Sequence, residues 1–234
     1  MLTSAPKTSN SQPSLLGHQG FSLIEIMVAM LLAAIIFIAI PTGDTAAKHR
    51  ALQAAVDDLD RTARFAANEA VLRNTVVRLR ILLDKSPVEY TVEYGPPGNI
   101  PLPDMPEKTS SSLAEEKEQR EKTASFDRQF TKVEEFEDMK SELDPDVTIL
   151  GVGSSVQKGL ITKDAVNVYF YPTGEKDGAL IFFATTEEIA FLEIAPFLLE
   201  TRANYEPIRT SGVAKIEDIL QTRMDEVYKE WVNQ

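Results

Sequence analysis

The sequence contains no cysteine. Disulfides and thiolate metal sites are therefore excluded, and the redox compartment is left open. Histidine is nearly as scarce. Only His18 and His49 occur, no pair has zinc-motif spacing, and any Ser/His/Asp chemistry would rest on one of these two. Positive charge is in deficit, with 24 Lys and Arg against 36 Asp and Glu, a formal net charge of −12 and a pI near 4.7. Such a surface repels phosphate backbones, so nucleic acid is not expected as a partner. The 234 residues allow one globular domain, a membrane segment and a tail.

Charge is most nearly absent between Phe21 and Ile40. That run is apolar except for Glu25 and the small hydroxyl of Ser22. As a helix it would be about 30 Å long, enough to cross the hydrocarbon of a bilayer. An ionised carboxylate in that layer costs about 2.5–3.5 kcal/mol on insertion scales. An anchor alone has no use for it, so Glu25 reads as half of a pair whose other half comes from elsewhere.

Residues 1–20 are polar and rich in Ser, Thr, Pro and Gln, with Lys7 as the one full side-chain charge. A secretory signal peptide ends an apolar core of about 7–15 residues with a small-x-small cleavage site. Here the run is longer and the small residue, Gly20, precedes it. A cut between Gly20 and Phe21 would remove the leader and keep the helix. It would also create an α-amino group four residues before Glu25.

The string Gly20-Phe21-Ser22-Leu23-Ile24-Glu25 resembles the prepilin motif of the type IV pilin and pseudopilin superfamily. The resemblance implies cleavage after Gly20, N-methylation of Phe21 by a prepilin peptidase, and assembly into a helical filament. Glu25 would then meet the terminal amine of a neighbouring subunit. Attraction in low dielectric offsets the burial of both charges, and the pair favours one axial register. Lys7 lies before the run, while Lys48 and Arg50 lie after it. The positive-inside rule therefore does not orient the chain. The resemblance does: a single pass of the bacterial inner membrane, with the head in the periplasm.

Pro41 and Gly43 predict a kink or local melting. Beyond them Leu52, Val56, Leu59, Ala63, Ala66 and Ala70 form one helical stripe, with Asp57, Asp60, Arg61 and Arg64 off it. The alanines would let a sheet approach closely. The segment Ala63–Asn74 resembles the helix end of the H-type minor pseudopilins of type II secretion and of the FimT-like minor pilins. The phrase Val168-Tyr169-Phe170-Tyr171-Pro172-Thr173-Gly174 resembles a hairpin of the H-type head.

Two alternating runs, Val77–Leu83 and Val88–Tyr94, predict a hairpin turning at Asp84–Pro87. Arg78 and Arg80 would lie near Glu89 and Glu93 as exposed pairs of about 0.2–1 kcal/mol. Gly95–Pro106, with five prolines and two glycines, predicts a loop. Glu107–Asp146 carries 13 acids against 7 bases. Ser112 and Glu115 form a capping box, and Phe126, Phe130, Val133, Phe136 and Met139 recur at three and four. A helical excursion is expected there, with a strand around Phe126–Val133 as the alternative. It reads either as a solvated insertion or as a partner-facing element. Further strands are expected at Val147–Val152, Val166–Phe170, Ala179–Ala184 and Glu188–Ile194. Glu175 and Asp177 on the intervening turn fit a solvated turn better than a calcium site. Ile216, Ile219, Leu220, Met224, Val227 and Trp231 form a last helical stripe. It would pack back on the sheet, or offer Tyr228 and Trp231 as anchors to another subunit.

The expected fold is α+β: a long N-terminal transmembrane and amphipathic helix packed on an antiparallel β-sheet head, pilin-like, with an extra C-terminal helix. The expected divisions are a leader (1–20), a transmembrane helix (21–41), a soluble helical half (42–75), a β-rich head (76–210, insertion 105–146) and a C-terminal helix (211–234). The resemblance implies a minor pseudopilin, a structural subunit of the periplasmic pseudopilus of type II secretion. Its partners would be other major and minor pseudopilins, the prepilin peptidase and the inner-membrane secretion platform. The alternative is a FimT-like minor type IV pilin acting in pilus assembly or DNA uptake, with Arg73, Arg78 and Arg80 as its nearest basic cluster. No catalytic residue, metal or cofactor is expected. His49 has no evident partner in the sequence and reads as solvated.

Overall fold

The computed structural model describes residues 22–39, 44–96, 113–134, 143–156, 159–197, 201–209 and 215–233. The expected leader, Gly20, Phe21, the kink at Pro41 and Gly43, the capping residue Ser112, and Phe136 and Met139 lie outside them, as does most of the proline-rich loop. The chain divides into two compact units between Thr42 and Gly43.

The first unit contributes helix α1, Leu23–Ala39. Its 17 residues span about 26 Å. Among the described residues no helix is long and apolar enough to cross a membrane. The expected span also drew on Phe21, Ile40 and Pro41, which lie outside the description.

The second unit is built around helix α2, Asp44–Arg73. The expected stripe is its core face: Leu52, Val56, Leu59, Ala63, Ala66 and Ala70 are all buried. Nine strands follow among the described residues: β1 (Val77–Leu82), β2 (Glu89–Tyr94), β3 (Thr131–Lys132), β4 (Thr148–Ser154), β5 (Leu160–Ile161), β6 (Ala165–Phe170), β7 (Ala179–Ala184), β8 (Glu188–Ile194) and β9 (Arg202–Pro207). Helix α3 (Leu113–Asp127) precedes β3, and helix α4 (Ile216–Val232) follows β9.

The strands form two sheets, not the single one expected. Their orders are β3-β2-β1-β6 and β5-β4-β7-β8-β9, and every pairing is antiparallel. Both sheets turn one face to α2. Val77, Leu79, Ile81, Val92, Val166 and Val168 from the first share one core with Val152, Ile181, Phe183, Leu192 and Ile194 from the second. The second sheet is apolar on its other face too. Leu180, Phe182, Ala184, Ile189 and Phe191 lie there beneath Leu220 and Met224 of α4. Burial on both faces explains why β7 reads Ala-Leu-Ile-Phe-Phe-Ala without alternation.

The first hairpin has the expected register, Val77 opposite Tyr94 and Leu79 opposite Val92. The insertion is partly each of its two expected forms. It is helical to Asp127, then pairs two residues with β2, Lys132 opposite Glu93 and Thr131 opposite Tyr94. Strands β5 and β9 were not expected. Strand β4 runs two residues past the expected Val152 and bulges between Ile149 and Gly151.

Candidate functional site

Helix α1 begins just after Ser22, whose carbonyl accepts the N–H groups of Glu25 (2.9 Å) and Ile26 (3.2 Å). Glu25 therefore sits in the first turn, where the helix dipole favours a carboxylate. It is the one ionisable residue of the helix. From Leu23 to Ile35 every residue is exposed. Leu23, Ile24, Met27, Met30 and Leu31 are each more than 60% accessible. Leaving such a side chain in water costs about 1.5–3 kcal/mol. A helix apolar on all sides needs lipid or other helices around it. Its lone carboxylate then needs a cation within the same layer.

The family described as the prokaryotic N-terminal methylation motif matches residues 16–41. The chain carries the processing motif of type IV pilin-like proteins. That motif implies cleavage by a prepilin peptidase and assembly with other pilin-like subunits. No curated protein and no solved structure matches the chain. The motif match ends at Pro41. The helix end at Ala63–Asn74 and the turn at Val168–Gly174, which carried the H-type resemblance, therefore stand outside it.

Beyond this pilin-like motif, the head corrects several expectations about single residues. His49 is not simply solvated. Its Nδ1 lies 2.5 Å from Glu188 Oε2, and its ring meets Tyr205 edge-on at 6.2 Å. Thr45 donates to Glu187 Oε2 at 3.1 Å, and Lys48 Nζ lies 4.0 Å from Glu187. These contacts tie the start of α2 to the β7–β8 turn.

The arginines named for a basic patch are all paired. Arg73 donates to Glu69 (2.7 Å) and covers the Tyr94 ring at 4.7 Å. The Tyr94 hydroxyl also donates to Glu69 (2.5 Å). That bond first, and Arg73 with it, hold the Glu69 carboxyl below its ordinary range against the opposing effect of burial. Arg78 is the largest departure. Expected in an exposed pair, it is 1% accessible. Its Nε donates to Glu93 Oε2 at 2.6 Å and its Nη1 to Asp127 Oδ1 at 2.5 Å. Burial works against its charge, but Glu93 and Asp127 outweigh that and hold it above the usual guanidinium range. Arg80 Nη1 lies 3.0 Å from Asp127 Oδ2. Glu89 faces Leu82 across the hairpin and takes no part.

Glu175 is exposed, whereas Asp177 is buried. Asp177 accepts the Tyr169 N–H (3.3 Å) and the Tyr171 hydroxyl (3.1 Å), and burial raises its carboxyl. It braces the turn that carries the chain from β6 in the first sheet to β7 in the second. Among the described residues, no group of three or more His, Asp or Glu is placed to hold a metal.

Helix α4 packs back on the sheet. A Cβ added at Gly153 would lie 2.8 Å from the Tyr228 ring, so glycine is what admits that ring. The Tyr228 hydroxyl accepts the Gly159 N–H at 2.9 Å. Arg223 forks onto both oxygens of Glu206 at 2.8 Å.

Proposed function

We propose that this chain is a minor pseudopilin, a structural subunit of the periplasmic pseudopilus of type II secretion. The carrying observation is the methylation motif on a helix that is apolar all round and bears one carboxylate. Cleavage between Gly20 and Phe21, followed by N-methylation of Phe21, leaves the helix in the inner membrane and the head in the periplasm. Glu25 pairs with the terminal amine of an adjacent subunit and sets axial register. The head, with α2 as its spine, selects the neighbours among major and minor pseudopilins on the secretion platform. The H-type resemblance of Ala63–Asn74 supports the choice of pseudopilin.

The FimT-like reading needs a basic face for DNA. Pairing of Arg73, Arg78 and Arg80 with Glu69, Glu93 and Asp127 removes support for one there.

Mass spectrometry of membrane-extracted protein tests the processing step, with a chain starting at methylated Phe21 as the expected result. Glu25→Ala tests the register step. The variant should still be cleaved, but its incorporation beside wild-type partners should fall about tenfold or more. Normal incorporation would rule out the register role. Failure of secretion of a reporter substrate on deletion of the chain would favour type II secretion over a pilus.

A further inference from the structure

Arg78 is neutralised from two unrelated parts of the chain. Glu93 lies opposite it in the β1–β2 register and cannot leave without opening the sheet. Asp127 arrives from the insertion and its side chain is 23% accessible. One carboxylate there serves two guanidinium groups, Oδ1 facing Arg78 and Oδ2 facing Arg80. Phe126, next to Asp127, meets Phe130 edge-on at 5.3 Å. Phe130 in turn lies 3.9 Å beneath the Arg78 guanidinium. This plug of aromatics and one acid seats the C-terminal end of α3 on the first sheet. Glu121–Ser125 just before it are exposed.

We propose that Arg78 and Arg80 form a carboxylate-binding site on the face of the first sheet turned away from α2, closed in cis by Phe126 and Asp127. A polypeptide segment of another subunit, bearing an acid beside an aromatic residue, takes the plug's place. The plug itself defines the occupant's chemistry. Two guanidinium groups present planar donor forks that match a carboxylate. When Asp127 leaves, Arg78 keeps Glu93, so opening does not strand a buried cation. Two arginines then face one acid, and the local excess of positive charge attracts the incoming carboxylate in an otherwise acidic protein. This goes beyond the assembly role of α1 and lies wholly in the head, so its failure is separable from failure of processing or register.

The test uses the full chain in detergent micelles and a fluorescein-labelled peptide of the sequence Lys122–Lys132. Fluorescence anisotropy measures binding. The native chain, holding its own plug, binds weakly. Asp127→Asn and, independently, Phe126→Ala open the plug, and each should bind the peptide about tenfold tighter than the native chain. A peptide with asparagine at the Asp127 position should bind both variants about tenfold more weakly than the parent peptide. The Phe126→Ala chain leaves every charge in place, so it decides the matter if Asp127→Asn does not fold. Equal binding of the two peptides, or no gain on opening the plug, would overturn the proposal. So would displacement of the peptide by a mixed-sequence single-stranded DNA at lower concentration than by unlabelled peptide, which would mark a phosphate site instead.

Discussion

Arg78 shows how one buried cation is made tolerable. Its guanidinium has lost nearly all contact with water, and two carboxylates and an aromatic ring replace it. Truncation by Arg78→Ala leaves the buried Glu93 carboxylate without its cation and Asp127 with Arg80 alone, and should cost about 3–5 kcal/mol, measured by denaturant unfolding. A loss within 1 kcal/mol (about the worth of a surface pair) would mean the pair is effectively exposed. Acid sensitivity follows from two groups with opposite signs. Hydrogen bonding to Arg223 lowers Glu206, against burial, so its stabilisation is complete above the ordinary glutamate value of 4.5. It is lost as pH falls through the lowered folded-state value. Asp177, raised by burial, contributes most in acid, and its contribution is lost as pH rises through its raised folded-state value. Because Glu206 clasps α4, that helix should loosen once pH falls below the ordinary glutamate value. The emission of Trp231, the sole tryptophan, should shift red as pH falls below 4.5 through the lowered folded-state value of Glu206. Glu206→Gln should flatten that response.

Among the elements, α4 depends on a surface provided by another. Its stripe buries Leu220 and Met224 on β7 and β8, and the Tyr228 ring packs closely against Gly153 of β4. Gly153→Val inserts carbon where the ring now sits and should cost about 1–3 kcal/mol. The checks are a lowered melting temperature and a red-shifted Trp231 emission in the folded state. An unchanged emission would show that α4 does not rest on that glycine. The stripe was legible in the sequence because helical spacing is local. Its destination was not, because the receiving face is assembled from three strands. Strand β9 was illegible for a related reason. Arg-Ala-Asn-Tyr-Glu-Pro has weak strand character, and it is extended because the outer edge of β8 supplies backbone partners.

At the scale of the molecule, the head has a closed core of its own. A single buried cluster joins α2 to both sheets, and α1 belongs to a separate unit. A chain beginning at Asp44 should therefore remain soluble without detergent and melt cooperatively as a monomer, whereas the full chain should need detergent. Gel filtration and calorimetry check this. A head that unfolds when α1 is removed would contradict the division.

By itself the sequence determined the apolar helix with its one acid, the processing motif, the stripe of α2 and most of the strands. Each of these is written in neighbouring residues, through apolar spacing or a contiguous motif. Tertiary structure alone decided that there are two sheets, that His49 meets Glu188 and that α4 lies on the second sheet. It also decided that Arg78 is buried. That choice depends on an aspartate 49 residues further along the chain, and no local pattern encodes which distant charge arrives to replace water.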